Sequence, residues 1–478
     1  MTKLVSCALA LVIFSAVAPA QTLSPEVRKF VKVNAPVVAL THVRVIDGTE
    51  AAPREDQTIV ISHGKIQSVG SGNVPVGAQV IDLHDHSVIP GLVGMHDHMF
   101  YPAGDAIFHE MAISFPRLYL AGGVTTIRTT GSIEPYTDLA LKKQIDKGEV
   151  PGPHMHVTGP YLEGPGSWAP QMTELKTPQE AIETVNFWID RGVDNFKAYN
   201  FISREVLGAA IQAAHKRGIK VTGHLCSIGF REAAALGIDD LEHGLDVDTE
   251  FFSGKKTDVC PDLNDSANEL VKMKVSDAPI QETIRDLVAH HVAVTSTLPV
   301  FELFVENKTP LQQRVLEAMS ADAQIQFLES RVRLDLPKRD PKTGQVVERP
   351  WARGFQMDME FERDFVKAGG LLLAGLDPTG IGGVLPGFGD QREVELLVDE
   401  GFTPVHAIHI ATSNGAQYLG EDRIGTIAAG KNADLVIVRG DPSKKIDDIE
   451  NVEIVFKDGV GYDSAKLIES VRGLVGIR

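Results

Sequence analysis

Short apolar runs rich in β-branched residues, separated by Gly, Asp and Asn, mark the early part of the chain at residues 38–46, 58–61, 64–66 and 78–81. The far end repeats the style at 433–438 and 452–459. Such patterns predict half-buried strands. Two strand groups flanking a different central region predict one small β-sandwich domain built from both chain ends. Between them, apolar strands alternate with helical stretches, which predicts α/β architecture: a (β/α)8 TIM barrel. Its candidate strands are 89–95, 124–129, 154–158, 195–199, 220–224, 240–243, 293–297 and 371–375, with helices such as 203–217 and 278–290 among the connections. Two connections are long, 244–277 and 298–352, and read as lids or substrate loops. Pro337-Lys-Arg-Asp-Pro-Lys-Thr-Gly344 inside the second reads as a charged, exposed excursion.

The predicted division is therefore a β-sandwich from 21–88 and 420–478, and a barrel over 89–419. Residues 21–36 read as a linker or exposed arm. The first residues change the picture. Lys3, the apolar run from Leu4 to Val17 and the small-residue site Ala18-Pro-Ala20 predict an export signal cleaved after Ala20, hence a periplasmic or secreted protein. No other segment approaches a membrane span.

A length of 478 residues allows two or three structural units, and 43% hydrophobic with 23% charged residues is ordinary for a globular chain. The net charge of −18, without a Lys/Arg-rich block, argues against nucleic acid and anionic membranes as partners. Cys226 and Cys260 survive removal of the signal that carries Cys7. In an oxidising compartment they form one disulfide or remain two thiols, a choice spacing leaves open. Asn264 and Asn307 head glycosylation sequons, relevant only in a eukaryotic secretory route.

The candidate chemistry begins at Gly94-Met-His96-Asp-His98, where an apolar run ends in two histidines spaced i, i+2. A β-strand turns such a pair to one face. Lys197, His224, His243 and Asp377 follow in order, each at the C-terminal end of a predicted strand, where active sites of this architecture lie. Other matches fail. Gly425-Thr-Ile-Ala-Ala-Gly-Lys-Asn lacks the hydroxyl residue of a phosphate loop and precedes a strand. His109-Glu110 begins a zinc-protease helix motif, but Ile113 occupies the second histidine position. His154 and His156 begin strand three, away from the mouth, and read as structural, as do His406 and His409 on a late helix.

With these residues the chain resembles the metal-dependent amidohydrolase superfamily, in its imidazolonepropionase-like and prolidase-like (dipeptidase) branch. The resemblance covers roughly 38–460 and is strongest at 89–98, 193–244 and 371–438. It implies two divalent metal ions, zinc by donor type. His96, His98 and Asp377 would hold one ion and His224 and His243 the other, with Lys197, carboxylated on its amine, as the bridge. A single ion beside unmodified Lys197 is the alternative.

The implied reaction is hydrolysis of a peptide-like amide, a dipeptide or N-acyl amino acid, by metal-activated water, with Asp377 as base. A cyclic amide, lactone or phosphoester at the same site is the runner-up, and a non-catalytic binding protein the third reading. Strand parity points Tyr199 inward toward substrate or into packing. Arg128 matches a recurrent family arginine with a substrate-side role, although Thr129 replaces the Asp that often follows it. Arg392 reads as a substrate-carboxylate ligand or an exposed helix position. The prolidase-like histidine after strand eight is missing, with Gly387-Phe-Gly-Asp-Gln-Arg in its place. Homo-oligomers are common in the family.

Overall fold

The computed structural model describes residues 23–104, 106–306, 308–339, 342–346 and 349–476, so the expected export signal and Asn307 lie outside the described residues. Its central strands are β1 (Leu92–Asp97), β2 (Val124–Thr129), β3 (His154–His156), β4 (Asn195–Ala198), β5 (Lys220–Gly223), β6 (Asp240–Glu242), β7 (Ala293–Ser296) and β8 (Leu372–Ala374). All residues of β1, β2, β4, β6, β7 and β8 are buried, as parallel strands covered on both faces must be.

Strands β1, β2 and β3 pair in parallel, and β4 to β8 pair in parallel in chain order. A parallel bridge from Thr158 to Asn195 connects the two sets. Past the end of β8, the Asp377 amide donates to the His96 carbonyl of β1 at 3.0 Å. Gly375 makes that approach feasible, because a Cβ there would lie 2.6 Å from the His96 nitrogen. The result is a mixed α/β fold on parallel strands whose C-terminal ends face one way.

A nine-stranded sheet draws on both chain ends, with Val460–Asp463, Val452–Lys457 and Leu435–Arg439 placed next to His86–Pro90 and Val37–Val45. The expected strand at 89–95 is thus split. His86–Pro90 pairs antiparallel with Leu435–Arg439, and β1 starts only at Leu92. The exposed arm expected at 21–36 is also corrected. Pro25–Arg28 is a helical turn capped by Ser24, Val31–Val33 pairs with the 460–463 strand, and Leu23, Val27 and Phe30 are buried in the main core. Their spacing puts three apolar side chains on one side of a short element, which a period-based reading passes over.

Both long connections fold back over the C-terminal ends. The first carries α1 (Leu263–Leu270) and the second begins with α2 (Leu298–Glu302). Further on, α3 (Trp351–Lys367) and α4 (Phe388–Glu400) flank β8. Cys226 and Cys260 form a disulfide, Cα to Cα 4.8 Å, tying the first connection to the residues after β5. The described residues of 337–344 are exposed. Among the described residues, no helix is long and apolar enough to cross a membrane.

Candidate metal centre

Six side chains singled out from the sequence meet at one place. His96 and His98 end β1, Lys197 lies in β4, His224 and His243 follow β5 and β6, and Asp377 follows β8. His96, His98 and Asp377 present candidate ligand atoms within 4.8 Å of one another. Nε2 of His96, His98 and His243 lies 3.6, 3.6 and 3.9 Å from an Asp377 carboxylate oxygen. The His224 ring centre is 4.5 Å from that of His243. Lys197 Nζ lies 3.0 Å from His96 Nε2.

What fixes the imidazoles is on their other nitrogen. His96 Nδ1 meets Glu242 Oε2 at 2.8 Å, His98 Nδ1 meets the Gly131 carbonyl at 3.2 Å, and His243 Nδ1 meets Thr297 Oγ1 at 2.7 Å. A proton on Nδ1 leaves the Nε2 lone pair directed at Asp377, the arrangement in which histidine ligates a metal. Burial, reinforced by Lys197 and other positive neighbours, pushes all four imidazoles well below the usual histidine value. Burial also pushes the Asp377 carboxyl up to about 6 and the Lys197 amine down to about 8. Neutral imidazoles and a lysine that gives up its proton readily are the states this chemistry needs.

Two backbone positions are unusual. His243 and Asp377 have φ of 72° and 49°, the left-handed region that non-glycine residues adopt at roughly 1–3 kcal/mol. At His243 the turn has a visible consequence. Residues 242 and 243 would point to opposite faces of a regular strand, yet here Glu242 anchors His96 while His243 enters the same cluster. The sequence reading passed over Glu242 and Thr297. Neither lies in a motif, and both act across strands far apart in the chain.

Arg128 is corrected. Its side chain is wholly buried, with Nη1 2.8 Å from Asp240 and Nη2 3.1 Å from Glu242, and Nε donates to the Met95 carbonyl at 2.8 Å. It cannot reach substrate and instead braces the carboxylate that holds His96. Arg392 is neither exposed nor free. It pairs with buried Glu302 at 2.8 Å and with Glu395 at 2.8 Å. The Tyr199 ring lies 4.8 Å from that of His224 and 5.1 Å from that of Tyr161. The histidines dismissed earlier are paired elsewhere: His154 with Asp458 at 3.1 Å, and His406 with Glu50 at 2.8 Å.

Beside His224, His243 and Asp377 opens a cavity of about 290 Å³, walled by both long connections and the start of α3. On the other flank Phe100 stacks on His98, their centres 4.3 Å apart.

Comparison with known proteins places this geometry. The amidohydrolase family profile matches residues 87–333 and 383–460. A dihydroorotase of Pelotomaculum thermopropionicum is 23% identical over 401 residues, 82% of this chain and 87% of that protein. The match to the Pelobacter propionicus dihydroorotase, 31% identical over 96 residues, spans 20% of this chain and only 22% of that protein. Among solved structures, a prolidase candidate from Bifidobacterium longum is 25% identical with a TM-score of 0.65, covering 91% of this chain and 98% of that one. A Xaa-Pro dipeptidase with methionine bound in its active site is 20% identical with a TM-score of 0.64, covering 89% and 100%.

Proposed function

Because the chain belongs to the amidohydrolase family, we propose that it is a metal-dependent hydrolase cleaving a peptide-like amide at the cluster around Asp377. The observation that carries this reading is the convergence of three Nδ1-anchored histidines on one buried aspartate. His243 Nε2 and Asp377 Oδ1 are there buried without a hydrogen-bond partner. Buried polar atoms are almost always satisfied, so such orphans favour an ion.

The donor set of imidazoles, carboxylate and amine fits zinc or a similar divalent ion. In this reading His96, His98 and Asp377 would hold one ion and His224 and His243 a second, and Lys197, carboxylated on Nζ, would be a further ligand. The parallel strands form a (β/α)8 barrel supported by the bond from Asp377 to His96, and the nine-stranded sheet belongs to a β-sandwich domain from both ends. When bound, such ions polarise a carbonyl and lower the pKa of water to about 7.

The protein's own groups do the rest. Asp377 accepts a proton from the attacking water and returns it to the leaving nitrogen. The Tyr199 hydroxyl donates to the scissile carbonyl oxygen. Glu242 and Thr297 hold His96 and His243 in the tautomer that keeps Nε2 free. The walls around the cavity keep bulk water from the reacting bond. The same reading includes export, with a signal cleaved after Ala20. The disulfide favours it, because such bonds persist in oxidising compartments.

The test is turnover by zinc-loaded protein on matched panels of peptide-like amides, lactones and phosphotriesters, the amides including dipeptides, N-acylated amino acids and N-acylated amines. Hydrolysis of amides with the other two classes slower by at least about 100-fold supports the reading. Faster turnover of lactones or phosphotriesters transfers the site to that chemistry.

A further inference from the structure

The cavity beside the histidines is built for something other than a carboxylate. Its walls include Leu263 and Leu270 from α1, Val300 and Phe301 from α2, Phe304 beyond it and Trp351 from α3. Apart from Asp377, the acidic side chains lining it are Asp246 and Asp248, whose carboxyls burial pushes up, Asp246 to about 7 and Asp248 well above the usual carboxylate value, and no Lys or Arg is among the described lining residues. Asp248 is only 2% exposed, and its Oδ2 is buried without a partner. Its Oδ1 accepts from the Glu250 amide at 3.0 Å. Helix α3 makes room for the other acid: a Cβ on Gly354 would lie 2.7 Å from Asp246 Oδ1.

Four basic residues of the surrounding segments are engaged by groups of the protein itself, Lys255 from behind the wall beside Asp248. Lys255 Nζ donates to Thr249 Oγ1 at 2.7 Å and to the Val259 carbonyl at 3.2 Å. Arg349 Nη2 donates to the Leu336 carbonyl at 2.9 Å, Arg353 pairs with Glu360 at 3.0 Å, and Arg392 is held by Glu302 and Glu395. A substrate carboxylate entering here would lose its water against an apolar wall, with no counter-charge to replace it.

We propose that this cavity receives the leaving-amine half of the substrate, and that this half is an apolar amine without a free carboxylate, because the apolar walls offer a carboxylate neither water nor a lining cation. The inference rests on the amide-hydrolase reading, in which Asp377 protonates the leaving nitrogen. Asp377 lines the cavity, whereas His96 and His98 do not. Leaving a charged group desolvated and unpaired is a recognised route to specificity.

The experiment uses two amides that differ only by that group: an N-acylphenylalanine and the N-acyl-2-phenylethylamine with the same acyl chain, given to zinc-loaded protein. The expected kcat/KM ratio is about 100 in favour of the phenylethylamine, expressed mainly in KM. Leu263→Arg, which brings a cation to the wall, should shrink the ratio by about 10-fold by accelerating the carboxylate substrate. Equal rates, or faster cleavage of the phenylalanine compound by wild type, overturn the proposal, as does a ratio unmoved in Leu263→Arg. If neither amide turns over, the amide-hydrolase reading fails separately, and calorimetric binding of 2-phenylethylamine against phenylalanine decides the cavity's preference. Tighter binding of the phenylethylamine by about 10-fold upholds it, and equal or weaker binding refutes it.

Discussion

Two clusters of histidine and aspartate lie at opposite ends of the same parallel strands, and they differ in what completes them. At the N-terminal end of β3, His154 gathers with Asp434 and Asp458 within 4.8 Å. There a lysine is already in place, Lys457 Nζ lying 3.5 Å from the Asp458 oxygen that also faces His154. Burial alone would raise the Asp458 carboxyl, but hydrogen bonds and charge from His154 and Lys457 hold it well below the usual carboxylate range. At the C-terminal ends, Asp377 sits among neutral imidazoles and its carboxyl is pushed up, while Lys197 faces an imidazole. The same residue types thus make an internally neutralised ion cluster at one end and a donor set open to a cation at the other.

The comparison breaks most sharply on a pair of substitutions. Asp377→Asn should lower kcat/KM by at least about 1,000-fold, because the proposed ligand and proton acceptor are lost together. Asp458→Asn should leave kcat/KM within about 2-fold and cost about 1 kcal/mol in urea unfolding, a small effect because Asp458 is 40% exposed.

Glu242→Gln weakens the support behind one ligand without removing it. Metal affinity, read by chelator competition, should fall about 10- to 100-fold. Cys260→Ser tests the connection that walls the cavity. Opening a disulfide that spans 34 residues should cost about 3–4 kcal/mol in reversible unfolding. Activity at low temperature should show a rise in KM larger than any fall in kcat.

The smallest effect is global. Burial raises Asp138 and Glu163 to about 7, and Glu393 to about 8. Above about pH 6.5, where the unfolded chain's histidines have already given up their protons, the folded chain therefore binds more protons than the unfolded one, so stability falls as pH rises. Thermal unfolding should move down by a few degrees from about pH 6.5 to about pH 8. A flat or rising profile contradicts this.

Much of the open cluster was legible in the sequence. His96, His98, Lys197, His224, His243 and Asp377 carry their own signal, being polar residues at the ends of apolar strands in chain order. What holds them was not. Glu242 is adjacent in sequence to His243, and only the left-handed turn at His243 brings both to one site. Thr297 and the buried pairing of Arg128 with Asp240 depend on neighbours in space. Arg128 therefore read as a substrate residue when it is a brace under His96. The 23–33 segment was missed because three apolar residues over little more than one turn and a strand are too few to set a period. The Cys226–Cys260 pairing needed a distance that spacing cannot supply.

The most direct test of the account is the metal content of purified, zinc-reconstituted protein, measured for wild type, Asp377→Asn and Asp458→Asn by elemental analysis after desalting. The account predicts about two ions per chain in wild type and in Asp458→Asn, and a clear loss in Asp377→Asn. Full retention in Asp377→Asn, or loss confined to Asp458→Asn, would contradict it.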